Sequence, residues 1–195
     1  ARTRLFIYAK PFVERICVEP SMPLVREIKY DGYIFRSKIE AQHYKLYREL
    51  GLEVHYEPET IGLDFAGHVV NYLPDFFLPD LDAYVEIKLA KRPTHEECVK
   101  CFALAQTTGK DVYLFYEVVG KKDTNAYKYA GGSGAFHPLQ RWTQCPKCKP
   151  FGITTCGIVG PSHTKCGCAV REWSNSEAAD LTRAYESVRS ERFGA

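Results

Sequence analysis

Residues Tyr84 to Lys88 alternate, with Val85 and Ile87 on one side and Tyr84, Glu86 and Lys88 on the other. That is the period of a β-strand, and it aims Glu86 and Lys88 into the same space. Upstream, Leu78-Pro79-Asp80-Leu81-Asp82 is rich in turn residues. It separates this strand from a second predicted strand over Val69 to Phe76. A hairpin between the two lays Asp75 beside Glu86. Pro74 has no N–H, so Asp75 is expected where the ladder ends or splays. Two carboxylates suit a hard cation such as Mg²⁺. Such a cation polarises a phosphate oxygen and makes bound water a stronger nucleophile, and a lysine beside it can meet developing negative charge. Glu-x-Lys is also an ordinary solvated strand face, and Pro-Asp an ordinary turn start, so the pattern takes its meaning from its neighbours.

Those neighbours read as alternating elements. Asp31-Gly32 is a hairpin turn between Ile28-Lys29-Tyr30 and Tyr33-Ile34-Phe35. A helix is predicted from about Lys38 to Leu50, with Ser37 as N-cap, Gly51 as stop and an apolar stripe of Ile39, Leu46, Tyr47 and Leu50. Ser37-x-x-Glu40 has the form of a capping box, which competes with any role for Glu40 in a site. Leu52 to Glu59 and Leu63 to Val70 read as strands, with Glu57 and Glu59 as secondary candidates for a cleft. A second helix starts at Thr94, with Glu97 completing a capping box, and ends at Gly109. Cys98, Cys101, Phe102 and Ala105 share a face of it, which makes the Cys-x-x-Cys pair a packing feature. Gln106 is a candidate to brace a site or a phosphate. Asp111 to Val118 is an apolar strand. The order helix, three strands, helix, strand gives an α/β fold with helices flanking a mixed sheet.

The stretch from Tyr30-Asp31-Gly32 through Phe35-Arg36-Ser37-Lys38-Ile39-Glu40-Ala41, Tyr56-Glu57-Pro58-Glu59, Tyr72-Leu73-Pro74-Asp75-Phe76 and Glu86-Ile87-Lys88 resembles the PD-(D/E)xK, restriction-endonuclease-like nuclease superfamily. It is closest to small phage and bacterial members, and the likeness covers roughly residues 30 to 118. The resemblance implies a restriction-endonuclease-like mixed sheet and a catalytic set of Glu40, Asp75, Glu86 and Lys88. It also implies Mg²⁺ or Mn²⁺ held by Asp75, Glu86 and the backbone carbonyl of Ile87. With it, Glu40 is expected to face the metal site. The implied reaction is in-line attack of water on a phosphodiester, leaving a 5′-phosphate.

After residue 119 the character changes. Gly120-Lys121-Lys122-Asp123 and Gly131-Gly132-Ser133-Gly134 read as mobile loop, and Tyr127 and Tyr129 around Lys128 form a weak candidate for base stacking. Cys145-Pro146-Lys147-Cys148 and Cys166-Gly167-Cys168 then have the pairing of a Cys₄ structural zinc site. The second pair is tighter than Cys-x-x-Cys, which leaves Cys156 or His163 as substitutes for one ligand. A last helix is expected from Asn175 or Ser176 to about Arg192. The expected organisation is a nuclease core with an N-terminal extension over 1–119, a linker over 120–140, a zinc ribbon over 141–172 and a C-terminal helix over 173–195.

A net charge of +2 over 195 residues carries no argument for a polyanionic partner. No apolar run reaches membrane-spanning length and no secretory h-region is visible. The first residue is Ala1, so an initial segment is expected to have been removed or left out. Cysteines in metal-like spacing favour a reducing compartment, the cytoplasm of a bacterial or phage-infected cell. The expected partner is nucleic acid, in the first place DNA, with Lys91, Arg92, Lys121, Lys122, Arg141, Lys147 and Lys149 along its backbone path. A protein partner or a homo-oligomer is compatible with the chain, and a membrane is not expected. Cleavage of RNA or branched junctions, a subunit role in a larger defence, transposition or packaging assembly, and a non-catalytic zinc-ribbon binding module are the alternatives.

Overall fold

The computed structural model describes residues 27–65, 67–89, 92–116, 119, 126–145, 147–155 and 179–193. Cys156, His163, Cys166, Cys168, Lys91, Lys121 and Lys122 lie outside the described residues. So do the N-terminal 26 residues and the expected caps Asn175 and Ser176.

The chain is a mixed α/β structure. It opens with a hairpin of β1 (Ile28–Tyr30) and β2 (Tyr33–Phe35). Asp31 and Gly32 both hold positive φ, 47° and 81°, the pair of left-handed residues that a tight two-residue hairpin turn requires. Helix α1 (Lys38–Glu49) follows, with the Ser37 side chain accepting from the Glu40 amide. Next come β3 (His55–Tyr56), β4 (Ile61–Phe65), β5 (His68–Tyr72), β6 (Phe76–Leu78) and β7 (Ala83–Lys88). Helix α2 (His95–Thr108) has the expected Thr94/Glu97 capping box and a left-handed Gly109 at its end, φ 68°. It leads to β8 (Asp111–Tyr116), β9 (Ala126–Tyr129), β10 (Phe136–His137), β11 (Gln140–Gln144), β12 (Phe151–Thr155) and α3 (Ala179–Ser190).

Six strands form the central sheet in the order β10-β9-β8-β7-β6-β3. Only β7 and β8 run parallel, joined across α2; the other pairs are antiparallel. Alternate residues of β7 feed two apolar cores. Val85 and Ile87 join α1 in one, and Tyr84 joins α2 and Leu63 of β4 in the other. The sheet is therefore covered by helix on both faces, with Glu86 and Lys88 on the same side as Tyr84. Among the described residues, no helix is long and apolar enough to cross a membrane.

Four regions differ from the sequence reading. The single strand expected over Val69 to Phe76 is two strands, β5 and β6, interrupted at Leu73-Pro74-Asp75. Leu63 to Val70 is a hairpin, not a strand: Asp64 Oδ1 accepts from the Gly67 amide at 2.7 Å, and Gly67 turns the chain at φ 89°. Between Leu52 and Glu59 only His55 and Tyr56 pair, because Glu57 takes φ 46° just before Pro58. The stretch expected as linker contributes two strands to the central sheet. Gly131, Gly132 and Gly134 make the turn between β9 and β10, where Gly134 sits at φ 66° and a Cβ would fall 2.3 Å from the Phe102 ring. Lys128 is buried and paired with Asp111 at 2.8 Å, Tyr129 is buried, and Tyr127 is half-buried against Tyr116 and Phe136.

The hairpin β11–β12, expected as part of an appended ribbon, shares the main core. Trp142 is 1% exposed, stacked on Phe115 with ring centroids 6.0 Å apart and in contact with Tyr47. Helix α3 joins the same core through Leu181, Ala184, Tyr185 and Val188. It is tied to α1 by Ser187 on Glu49 (2.7 Å) and Glu191 on Lys45 (3.1 Å). Trp142→Ala is therefore expected to destabilise the whole chain by about 3–5 kcal/mol. Denaturant melts followed by far-UV and near-UV circular dichroism should lose both signals together, at a lower midpoint than the wild type.

His43 is also inside this core, 2% exposed, against Phe115 and Tyr47. Burial pushes its pKa down from 6.5 to about 3. The unfolded chain takes up that proton near 6.5, while the folded chain resists until about 3. Stability from the neutral ring is thus full above 6.5 and lost progressively as pH falls through this window. Relative to His43→Leu, the wild type should lose unfolding free energy on acidification; a difference that stays flat with pH contradicts this.

Candidate active site

The end of β7 and the start of β6 meet at a break in the ladder. The register Phe76↔Val85, continued two residues, sets Pro74 opposite Ile87. Pro74 has no N–H to offer the Ile87 carbonyl, and the Ile87 amide donates to the Asp75 side chain, Oδ2, at 2.7 Å. In an extended strand a residue's N–H and C=O point to the same side, so the Ile87 carbonyl also faces the β6 flank. Asp75 is thereby held at 2% exposure next to Glu86 at 4%.

Four of the sequence-derived residues come together here. Asp75, Glu86, Lys88 and Glu40 all line one cavity of about 600 Å³, with Arg36 from the start of α1 and Thr94, Glu96, Glu97 and Lys100 from α2. Lys88 Nζ lies 2.5 Å from Glu86 Oε1 and 4.0 Å from Asp75 Oδ2. Burial opposes the Lys88 charge, but Glu86 and Asp75 outweigh it and hold the ammonium above its usual pKa. Burial first, then the neighbouring Glu86, pushes Asp75 up to about 7. Glu86 Oε2 is buried with no hydrogen-bond partner. The nearby Tyr72 hydroxyl is pushed far up by burial first and by the charge of Glu86 second, with a smaller contribution from its approach to the Glu86 carboxylate as a donor.

Glu40 serves two purposes. Its Oε1 accepts from the Ser37 hydroxyl at 2.7 Å, and its Oε2 accepts from the Arg36 amide at 3.2 Å and the Tyr56 hydroxyl at 2.8 Å. The capping reading is thus half met: the carboxylate reaches one residue past the Ser37 amide, and the same oxygens border the cavity.

Arg36 is a member of the site with no role in the sequence reading. Its Nη2 donates to Asp75 Oδ1 at 2.7 Å, and its Nε forms an ion pair with Glu57 Oε1 at 2.7 Å. Nothing in one dimension announces a partner thirty-nine positions away. Glu57 thus reaches the site through Arg36, whereas Glu59 takes the Tyr84 hydroxyl at 2.8 Å and stays outside the cavity lining. Gln106 is exposed and is not part of the lining. The α2 rim residues went unnoticed because Thr94 and Glu97 already had an explanation as a cap.

The lining holds five carboxylates and three cations, counting Arg36, Lys88 and Lys100. The excess matches one divalent cation. The donors are hard oxygens, and one of them is buried without a partner, so the residues present fit Mg²⁺ or Mn²⁺. Among the described residues, no three His, Cys, Asp or Glu side chains converge in ligand geometry. The reason is local: Arg36 draws Asp75 Oδ1 and Lys88 draws Glu86 Oε1.

A second candidate centre lies at the β11–β12 turn. Cys145 and Cys148 bring their sulfurs to 3.5 Å. The turn is closed by the Lys149 amide on the Cys145 carbonyl and the Cys145 amide on the Pro150 carbonyl, both 2.9 Å, with Lys149 left-handed at φ 70°. Two thiolates at 2.3 Å from one tetrahedral Zn²⁺ would sit about 3.8 Å apart, so the turn is nearly preformed for that ion.

Comparison with family models, with curated proteins and with solved structures returns no match. The functional reading therefore rests on this chain's own residues. Tyr56→Phe removes one donor to Glu40 and none to Asp75 or Glu86. It is expected to cost about 1 kcal/mol of stability and to leave the carboxylate pair intact, as a chemical melt beside a divalent-ion titration would report.

Proposed function

We propose that the chain is a divalent-metal-dependent nuclease of the restriction-endonuclease-like kind, acting on DNA. The observation that carries this reading is the buried pair Asp75 and Glu86, with one orphaned oxygen and an adjacent ammonium, at the floor of an open cavity. Burying carboxylates without full compensation is costly, and such sites persist where the charge is used.

Asp75, Glu86 and the Ile87 carbonyl are the groups that would hold Mg²⁺ or Mn²⁺. When bound there, the ion would supply Lewis-acid polarisation of a phosphodiester and a more acidic water. Lys88 supplies a fixed positive charge at the same floor, able to orient that water through its N–H groups or to meet charge growing on the phosphorane oxygens. Glu40, braced by Ser37, Tyr56 and the Arg36 amide, presents a further carboxylate at the wall. The sheet supports this work because β6 and β7 are interior strands, each paired on both sides.

Lys88→Ala is expected to lose about 10²- to 10⁴-fold in cleavage rate while keeping the far-UV circular dichroism of the folded chain, at a lower melting temperature because buried Glu86 loses its counter-charge. The test is Mg²⁺- or Mn²⁺-dependent cleavage of a panel of duplex, single-stranded and branched DNA and RNA, stopped by EDTA. Cleavage confined to RNA would reassign the substrate. No cleavage of any member with either ion, or cleavage that persists in metal-free buffer, contradicts the reading.

We also propose that Cys145 and Cys148 bind Zn²⁺ together with Cys166 and Cys168. The sulfur spacing and the closed turn support it. Thiolates select zinc where carboxylates select Mg²⁺, so mutation at Asp75 should leave zinc in place. Elemental analysis is expected to give one Zn²⁺ per chain, lost in Cys148→Ser. Because Trp142 on the same hairpin is in the main core, that variant should also melt at lower temperature as a whole. A zinc-free wild type purified without chelator would contradict the assignment.

A further inference from the structure

Asp75 has two carboxylate oxygens, and their partners differ in kind. Oδ2 is fixed by the Ile87 backbone amide at 2.7 Å, a donor that cannot leave without breaking the sheet edge. Oδ1 is taken by Arg36 Nη2 at 2.7 Å, a donor on a side chain that is 51% exposed. Each oxygen keeps a second lone pair, but a divalent ion on Asp75 would repel the nearby guanidinium charge, and of the two donors only the Arg36 side chain can move away.

The surroundings of Arg36 fit a side chain with two positions. Its backbone is pinned, because its amide donates to Glu40 Oε2 and the Tyr56 hydroxyl, both at 3.2 Å. Its Nε is held separately by Glu57 Oε1 at 2.7 Å. Glu57 is itself fixed, with its amide on the Asp75 carbonyl at 2.9 Å and a left-handed φ of 46°. If Asp75 is surrendered, Glu57 retains the stem of the guanidinium and the rest of the fork turns into the cavity mouth. The planar guanidinium matches two oxygens of a phosphate in a way an ammonium does not.

We propose that Arg36 is a resident counter-cation of the carboxylate site, displaced from Asp75 by the divalent ion and thereby made available to bind the phosphodiester of the substrate. The proposal rests on the nuclease reading above. It makes metal binding a precondition for phosphate capture, so the chain would grip DNA well only once the ion is in place.

The test uses the full zinc-loaded chain at mildly alkaline pH. Mn²⁺ binding is measured by calorimetry for the wild type, Arg36→Ala and Arg36→Lys, with Glu86→Gln as background for ions bound elsewhere. Binding of a short fluorescent DNA duplex in Ca²⁺ is measured by anisotropy for the same chains, and melts check that each is folded. Arg36→Ala is expected to bind Mn²⁺ roughly three- to tenfold more tightly, having lost its internal competitor, and the duplex at least about tenfold more weakly. Arg36→Lys keeps the charge without the fork, and should recover only part of the duplex affinity. Wild type that shows no Mn²⁺ binding beyond the Glu86→Gln background overturns the site reading and this inference together. Wild type that binds, with Arg36→Ala binding equally or more weakly, overturns the inference alone, as does unchanged duplex affinity in Arg36→Ala.

Discussion

One hydrogen bond, from the Ile87 amide to Asp75 Oδ2, organises this end of the molecule. Between β6 and β7 it stands where a backbone pair at Pro74 would otherwise be. Proline has no N–H for the Ile87 carbonyl, so the ladder stops there, the chain leaves the sheet, and the Ile87 amide is taken by a carboxylate rather than by a backbone carbonyl. The same event fixes Asp75 beside Glu86, turns the chain away into β5, and opens the cavity between α1 and α2. A site of buried charges thus arises from a strand that is prevented from continuing.

What the sequence made legible was mostly local. The alternation at Tyr84 to Lys88, the Asp31-Gly32 turn, the Thr94/Glu97 box and Gly109 each carry their cause within a few residues, and each is found in place. Pro74 was enough to foresee that Asp75 ends the ladder, although not that the strand before it is a separate hairpin. The segment around Tyr127 misled because its glycines were allowed to speak for their flanks, when Gly131, Gly132 and Gly134 turn only the tip between β9 and β10. Trp142 was read with its cysteine neighbours as ribbon, whereas its ring is spent on Phe115 and Tyr47. Arg36 and the α2 rim were invisible as site residues because their partners are set by the fold and not by spacing.

The arrangement has a cost that its surroundings only partly offset. Burial disfavours the charged form of Asp75, Lys88 and Arg36 compensate part of this, and Glu86 Oε2 is left without a partner. The rest of the chain supplies the rigidity such a site requires: a sheet covered on both faces, α3 clamped to α1, and a hairpin anchored by a fully buried tryptophan. The carboxylates are held by the core, and the core extends well past the segment that resembles a nuclease.

If Asp75 and Glu86 are a cation site, stability and metal response must be linked through them. Thermal unfolding of the wild type and of Glu86→Gln, each in metal-free buffer and with saturating Mn²⁺, tests this most directly. The account predicts that Glu86→Gln still folds without metal, although the Lys88 ammonium loses its charged partner at 2.5 Å. It also predicts that Mn²⁺ raises the melting temperature of the wild type and leaves that of Glu86→Gln unmoved. A wild type indifferent to Mn²⁺, or a folded Glu86→Gln variant that responds to it as the wild type does, would contradict the central claim.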